Sequence, residues 1–386
     1  MTAGDERDYG EPMRRATSAA LSLVLAVAAL APAATVAVSE RLRWKVCGEW
    51  RQVPVPEPRV SGELRDIAVV SPTEAWAVGV LGAEGILQPL VLHWNGIRWE
   101  RVRFPALRGD PDFAILESVA VTAAGEVWAV GAWSSLNRTG HPLTARWDGG
   151  RWHVVPLPDP GLRGYLDGLA AVPGTDTLWA VGQMIKPHEG ALAMRWTGER
   201  WRRFRVPDVV PGATQILFDV VAFARTTWAV GRNYGPGDHW RMVAARWHDG
   251  RWRTSLGPAV SPFAVAGTRP NRLWAVGGVD SDRPGYQRPA IVRWNGERWS
   301  RAYTGGRLGF LRDVVTPAPG VAWAVGERVD GPLMLRLGEQ GWAPARIPDV
   351  RGWFGAIDGT PNNLWVTHAR LWRGSEATVY DTYHRC

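Results

Sequence analysis

The sequence predicts an all-β protein: a seven-bladed β-propeller of four-stranded antiparallel blades, its ring closed by pairing of the N- and C-terminal segments. Three observations carry this. Trp-Ala-Val-Gly begins at Trp76, Trp128, Trp179, Trp228, Trp274 and Trp323, with a worn copy at Trp365-Val366-Thr367. The seven copies are separated by 52, 51, 49, 46, 49 and 42 residues, a period suited to propeller blades rather than shorter helical repeats. A second element, two Trp residues around a tight-turn sequence, alternates with the first. Finally, the 386 residues include 24 Trp, 44 Gly and 29 Pro against only 8 Phe and 7 Tyr, the usage of a turn-rich repeat that packs with indole rings.

From the N-terminus, residues 1–38 read as an export signal. An acidic preface (Asp5, Glu6, Asp8, Glu11) leads to Met13-Arg14-Arg15, with Met13 an alternative start, and then to the uncharged run Ala16 to Val38. A positive n-region, an apolar stretch from Leu21 to Leu30 and small residues near Ala31-Pro32-Ala33 or Val36-Ala37 form a secretory pattern. An uncleaved anchor is the alternative, because this run can just span a bilayer; it would be the chain's one link to a membrane. Either way the remainder, residues 39–386, is placed outside the cell as a single propeller, secreted or at the cell surface. Cys47 and Cys386 are the only cysteines. Behind an export signal their positions at the two ends of the ring point to a closing disulfide.

Each repeat then unfolds in the same order. A short apolar strand comes first (Leu64 to Val69, Leu116 to Val121, Leu166 to Ala171, Leu217 to Ala222, Leu311 to Thr316), and the Trp-Ala-Val-Gly strand second. A strand ending in Trp (Trp94, Trp147, Trp196, Trp247, Trp294) turns into one that opens on Trp, through Asn-Gly or Asp-Gly in every case but Trp196, where the turn is Thr197-Gly198; such a turn supplies the positive φ a tight hairpin needs. Around Leu337 to Trp342 the first Trp is replaced by Leu. Val154-Val155-Pro156 and Arg205-Val206-Pro207 end the outermost strand, where a missing N–H is harmless. Gly and Ala in the middle strands let neighbouring blades approach, and Trp fills the wider outer gaps. Residues 41–54 hold only the hairpin half of a repeat, so Glu49 to Val53 is expected to complete the last blade beside residues 362–372.

These repeats resemble those of Asp-box, or bacterial neuraminidase repeat, propellers and of propellers similar to photosystem II assembly factors. They are still more similar to secreted bacterial proteins built from Trp-Asp-Gly and Trp-Ala-Val-Gly repeats. The likeness covers nearly all of residues 41–372, although Asp148 and Trp152 are four apart, one residue short of an Asp box. The resemblance implies a propeller fold and raises sialidase chemistry. Arg346-Ile347-Pro348 looks like the sialidase arginine motif, but it stands at the repeat position also filled by Arg205-Val206-Pro207. No non-repeated carboxylate pair, Gly-x-Ser-x-Gly, Walker loop or metal-spaced histidine set is present. The sequence therefore favours a non-catalytic protein without cofactor or metal.

A net charge of +8 invites a nucleic-acid reading. The 45 basic residues include only two lysines, Lys45 and Lys186, and the arginines are spread along the repeats with no basic run, so nucleic acid is not an expected partner. The arginines before the hairpin Trp (Arg146, Arg195, Arg246, Arg293) are expected to stack on Trp across the strand. Asp66, Asp219 and Asp313 share one repeat position and could hold a cation, but acceptance of backbone N–H groups is the preferred reading. Asn137-Arg138-Thr139 is a glycosylation sequon by letter.

Function on a regular scaffold resides in its irregular loops. In an antiparallel blade the loops after Trp-Ala-Val-Gly emerge opposite the short Asp-Gly hairpins, and they carry Trp133, His188, Tyr234, Trp240 and Tyr286. The expectation is an exported monomer that binds a glycan or a protein surface through these residues. A glycan-active hydrolase or lyase, and an envelope assembly factor, are the alternatives.

Overall fold

The computed structural model describes residues 48–56, 61–83, 86–109, 111–135, 140–234, 240–371 and 378–386. The export segment, Cys47 and the sequon lie outside them. The described residues form 28 strands. After β1 (Arg51–Val53) the strands run in fours. The first unit is β2 (Gly62–Ser71), β3 (Glu74–Ala83), β4 (Ile86–Trp94) and β5 (Trp99–Arg101), and the second is β6 (Phe113–Val121), β7 (Val127–Ser134), β8 (His141–Trp147) and β9 (Trp152–Val154). The third is β10 (Arg163–Ala171) to β13 (Trp201–Arg203), through β11 (Leu178–Lys186) and β12 (Gly190–Trp196). The fourth comprises β14 (Thr214–Phe223), β15 (Thr226–Tyr234), β16 (Arg241–His248) and β17 (Arg251–Leu256). The fifth comprises β18 (Ser261–Arg269), β19 (Arg272–Asp280), β20 (Gln287–Trp294) and β21 (Trp299–Thr304). The sixth is β22 (Gly309–Ala318), β23 (Val321–Arg328), β24 (Gly331–Gly338) and β25 (Gly341–Pro344). Last come β26 (Trp353–Thr360), β27 (Asn363–Leu371) and β28 (Thr378–Arg385).

Each unit is an antiparallel sheet in chain order, and a single parallel pairing, Leu87 with Phe113, joins the first two into one eight-stranded sheet. The last unit has the order β1-β28-β27-β26. Here the structure corrects the sequence reading: β1 lies beside β28, with Arg51 opposite His384 and Val53 opposite Thr382, and β28 separates it from residues 363–371. Thr378–Arg385 alternates β-prone residues but lacks the Trp and Asn-Gly marks of the repeat, so it does not announce itself as the third strand.

Strand alternation explains the core. In β3 Trp76 and Val78 face the second unit, while Ala75 and Ala77 face Trp365 of the last unit. Large residues on one face of a Trp-Ala-Val-Gly strand thus meet the small residues of the next strand of this kind, an interdigitation that two uniformly large faces could not achieve. The innermost strands β2, β6, β10, β14, β18 and β22 each touch the next, β22 touches β26, and β26 touches β2.

The glycine of the tetrapeptide has a different task from the one expected. Gly79, Gly131, Gly182, Gly231 and Gly326 each stand opposite a β-bulge in the first strand of their own sheet, between Leu64 and Asp66 in the first unit. A Cβ on any of them would overlap a carbonyl oxygen of that strand, Glu63 in the first unit and Ile216 in the fourth. The close approach is within a sheet rather than between sheets. The last unit has His368 at this position, opposite Phe354, and shifts register between Phe354 and Ile357; Gly355 lies in the shifted stretch of the first strand, where Ala356 N–H donates to Thr367 Oγ1 at 2.8 Å.

The hairpins follow the sequence closely. Gly96, Gly149 and Gly296 adopt φ of 87°, 97° and 103°, and Asn95 Oδ1 accepts from Ile97 and Arg98 N–H, both at 3.0 Å. Trp147 and Trp152 stand opposite each other, ring centroids 6.0 Å apart, and both meet Trp76 of the preceding unit. Arg146, Arg195, Arg246 and Arg293 stack on Trp128, Trp179, Trp228 and Trp274 at 5.5–5.9 Å, as the repeat pattern predicts.

Candidate ligand-binding site

Antiparallel order puts the β15–β16, β19–β20 and β23–β24 loops at one end of their sheets and the β20–β21 and β24–β25 hairpins at the other. At the loop end a cavity of about 840 Å³ spans the fourth, fifth and sixth units, lined by Arg232, Trp240, Asp280, Arg283, Tyr286, Phe310, Glu327 and Arg328 among others.

Arg232 follows Gly231 at the end of the repeat motif, where strand direction carries it to the cavity. Its guanidinium lies 3.7 Å from the Trp240 ring centroid, 4.7 Å from that of Tyr234 and 5.1 Å from that of Phe218. Burial works against its charge, and Tyr234 favours it; aromatic faces supply the negative potential that lost water would have provided. Arg283 stacks on Tyr286 at 4.1 Å, and Tyr286 is 40% exposed. Neither Arg232 nor Arg283 forms an ion pair with a carboxylate among the described residues, whereas Arg328 pairs with Asp330 at 3.2 Å and Arg312 with Glu327 at 3.2 Å. The cavity thus combines aromatic faces, two guanidiniums without a carboxylate partner among the described residues, of which Arg232 also donates to Ser261 Oγ at 3.4 Å, and polar groups from Asp280, Ser281 and Gln287.

Of the five residues singled out from sequence, Trp240 and Tyr286 line this cavity and Tyr234 supports it, its ring 4.9 Å from that of Trp240. Trp133 and His188 do not line it. Trp133 is stacked at 4.3 Å on His141, its partner across β7 and β8, and packs against the core formed between the first and second units. His188 is exposed on the β11–β12 loop. Arg232 and Glu327 were not anticipated, although each directly follows Trp-Ala-Val-Gly, at the position filled by Val80, Ala132, Gln183 and Gly278 elsewhere.

The shared aspartates are structural. Asp66 Oδ2 accepts Val119 N–H at 2.8 Å and Ser118 Oγ–H at 2.7 Å, both from the next unit. Asp219 and Asp313 do the same for Val265 and Ile357 N–H, at 2.7 Å each. Asp358 Oδ2 accepts from Val69 N–H at 2.7 Å, joining the last unit to the first. Burial pushes the carboxyl of Asp66 up to about 7 and that of Asp219 up to about 6 against these donors, and holds Asp313 well above its ordinary value. Among the described residues no group of three or more His, Cys, Asp or Glu is placed to hold a metal. Arg346 is exposed on the segment after β25.

No protein-family model and no curated protein sequence matches this chain. Solved structures do. A protein of unknown function from Dyadobacter fermentans aligns with a TM-score of 0.50 at 11% identity, over 88% of this chain and 98% of its own. The β-propeller domain of the trilobed protease from Pyrococcus furiosus, described as having an open velcro topology, aligns with a TM-score of 0.50 at 10% identity, over 83% and 97%. The fold is a β-propeller. At such identities the likeness concerns the fold alone, and the four-stranded units are its blades.

Proposed function

We propose that this propeller is an exported, non-catalytic receptor for a glycan, bound at the Trp240–Tyr286 cavity. The observation that carries the reading is the cavity's composition: indole and phenol rings for the apolar faces of a sugar, with guanidinium, carboxylate and amide groups for its hydroxyls, in a volume that accepts a short oligosaccharide. The loop end is where blades differ from one another, and the hairpin end offers near-copies of one turn.

The scaffold in this proposal is a seven-bladed ring. Contacts around the innermost strands, the bond from Asp358 to Val69 and the pairing of β1 with β28 support closure. Gly48 N–H donates to the Cys386 carbonyl at 3.1 Å; Cys47 immediately precedes Gly48, which supports a Cys47–Cys386 disulfide in the oxidising space beyond the membrane. Export rests on the sequence of residues 13–38.

A glycan array probed with the mature chain tests the proposal. Saturable, salt-tolerant binding to a defined oligosaccharide set, with the bound sugar recovered intact, is the expected result. Release of shortened sugar would make the protein a hydrolase, and no binding above background would remove the glycan reading.

A further inference from the structure

The hairpin end holds a second cavity, of about 490 Å³, between the fifth and sixth blades. Its origin is legible in the repeat. In five other gaps the Trp of Trp-Ala-Val-Gly meets two rings of the following blade: Trp76 meets Trp147 and Trp152, Trp128 meets Trp196 and Trp201, Trp179 meets Trp247 and Trp252, Trp228 meets Trp294 and Trp299, and Trp365 meets Trp94 and Trp99. Between the sixth and last blades Arg385 takes the place of the first ring and stacks on Trp323 at 5.2 Å. Trp274 meets Trp342 at 5.3 Å, but the other position is Leu337, which lines the cavity. Consequently Trp274 is half-buried, while its six counterparts are at most 4% exposed. The same gap has Ala264 where the first, fourth and sixth blades carry Asp66, Asp219 and Asp313.

Arg269, Arg272 and Arg293 also line this cavity, and none of them pairs with a carboxylate among the described residues; Glu339 is the one acidic residue in the lining. Trp76, Trp128 and Trp365 direct the indole N–H to the residue two positions earlier, Glu74, Glu126 and Asn363. At Trp274 that position is Arg272, whose side chain has no acceptor to offer. The site therefore presents a half-buried indole flanked by Arg293 and Trp342, the outline of an absent second aromatic ring and an excess of donors.

We infer that this gap binds a planar aromatic ring carrying an anionic group. The ring takes the place that Trp147 or Trp294 fills elsewhere, tilted against Trp274, and the anion meets the guanidiniums at the rim. This site is independent of the glycan cavity, which lies at the opposite end of the sheets.

Titration of the full chain with indole-3-acetate, indole and tryptamine, followed by ligand-observed NMR and calorimetry, tests the inference. Indole-3-acetate is expected to bind with a Kd on the order of 0.1 to 1 mM, about fivefold or more tighter than indole, with tryptamine weakest. Leu337→Trp supplies the missing ring in cis, so it should reduce binding about tenfold or more and raise the unfolding midpoint. Leu337→Arg, which copies Arg385, should block the site even where the larger ring is not accommodated. Arg272→Ala should weaken the acid and leave indole unchanged. No saturable binding at about 10 mM, equal affinity for acid and amine, or unchanged binding in both Leu337 variants would overturn the inference.

Discussion

Asp219 is shared with Val265 of the next blade: its Oδ1 accepts Val220 N–H and its Oδ2 accepts Val265 N–H, each at 2.7 Å. One side chain thereby serves two backbone donors that sheet pairing leaves free. Asp219→Ala removes both acceptors and strands recessed N–H groups, which is expected to cost about 2 to 3 kcal/mol in urea unfolding. A loss below about 0.5 kcal/mol would show that water replaces the carboxylate without cost.

The glycine in Trp-Ala-Val-Gly is fixed by the bulge it faces. Gly231→Ala would drive a methyl group into the Ile216 carbonyl and is expected to destabilise the protein by about 3 kcal/mol or more. Gly190 has nothing within 4 Å of a built Cβ, so Gly190→Ala should change stability by no more than about 0.5 kcal/mol. Equal effects in a denaturation series would refute the assignment.

His384 makes the terminal strand acid-sensitive. Its ring lies 4.5 Å from Trp365, its Nε2 faces Asn363 Oδ1 at 2.8 Å, and burial pushes its pKa down to about 4 from 6.5. The imidazole is neutral in the fold and takes up a proton first in the unfolded chain, so its contribution is complete above about 6.5 and is lost as pH falls toward 4. The raised carboxyls of Asp66 and Asp219 act in the opposite sense, and the comparison with His384→Gln isolates the histidine. The variant should lose less stability than the parent between pH 7 and 4.5; parallel losses would contradict this.

Cys47 and Cys386 are expected to be joined in exported protein. Peptide mapping without reductant should recover the two C-terminal and N-terminal peptides as one linked species. Alkylation of both thiols in correctly exported material would remove the disulfide from the account.

Much of this architecture is written in short motifs. Asn95-Gly96 and Asp148-Gly149 specify their hairpins because turn chemistry is local, and the tetrapeptide marks the second strand because alternation sends Trp76 and Ala77 to opposite faces. The last blade is harder to read: β28 has Arg385 and His384 where other blades have Trp and Arg, so the repeat is disguised at the position where two chain ends meet. The site divides in the same way. Tyr234, Trp240 and Tyr286 are visible because they interrupt a repeat. Arg232 is hidden because it abuts the motif and reads as part of it, and Trp133 misleads because its partner His141, which covers it, is eight residues away in sequence.

The most direct test compares the two ends of the propeller. Trp240→Ala combined with Tyr286→Ala removes the aromatic lining of the loop-end cavity, whereas Asn95→Ala combined with Asn295→Ala removes only hairpin bonds. Capture of the oligosaccharide identified on the array should fall about tenfold or more in the first variant, which still unfolds cooperatively although loss of the Arg232–Trp240 stack lowers its midpoint by a few degrees. The second should retain capture while its midpoint drops by about 2 to 4 °C. Capture that survives loss of Trp240 and Tyr286 but fails in the hairpin variant would contradict the central claim that binding resides at the loop end.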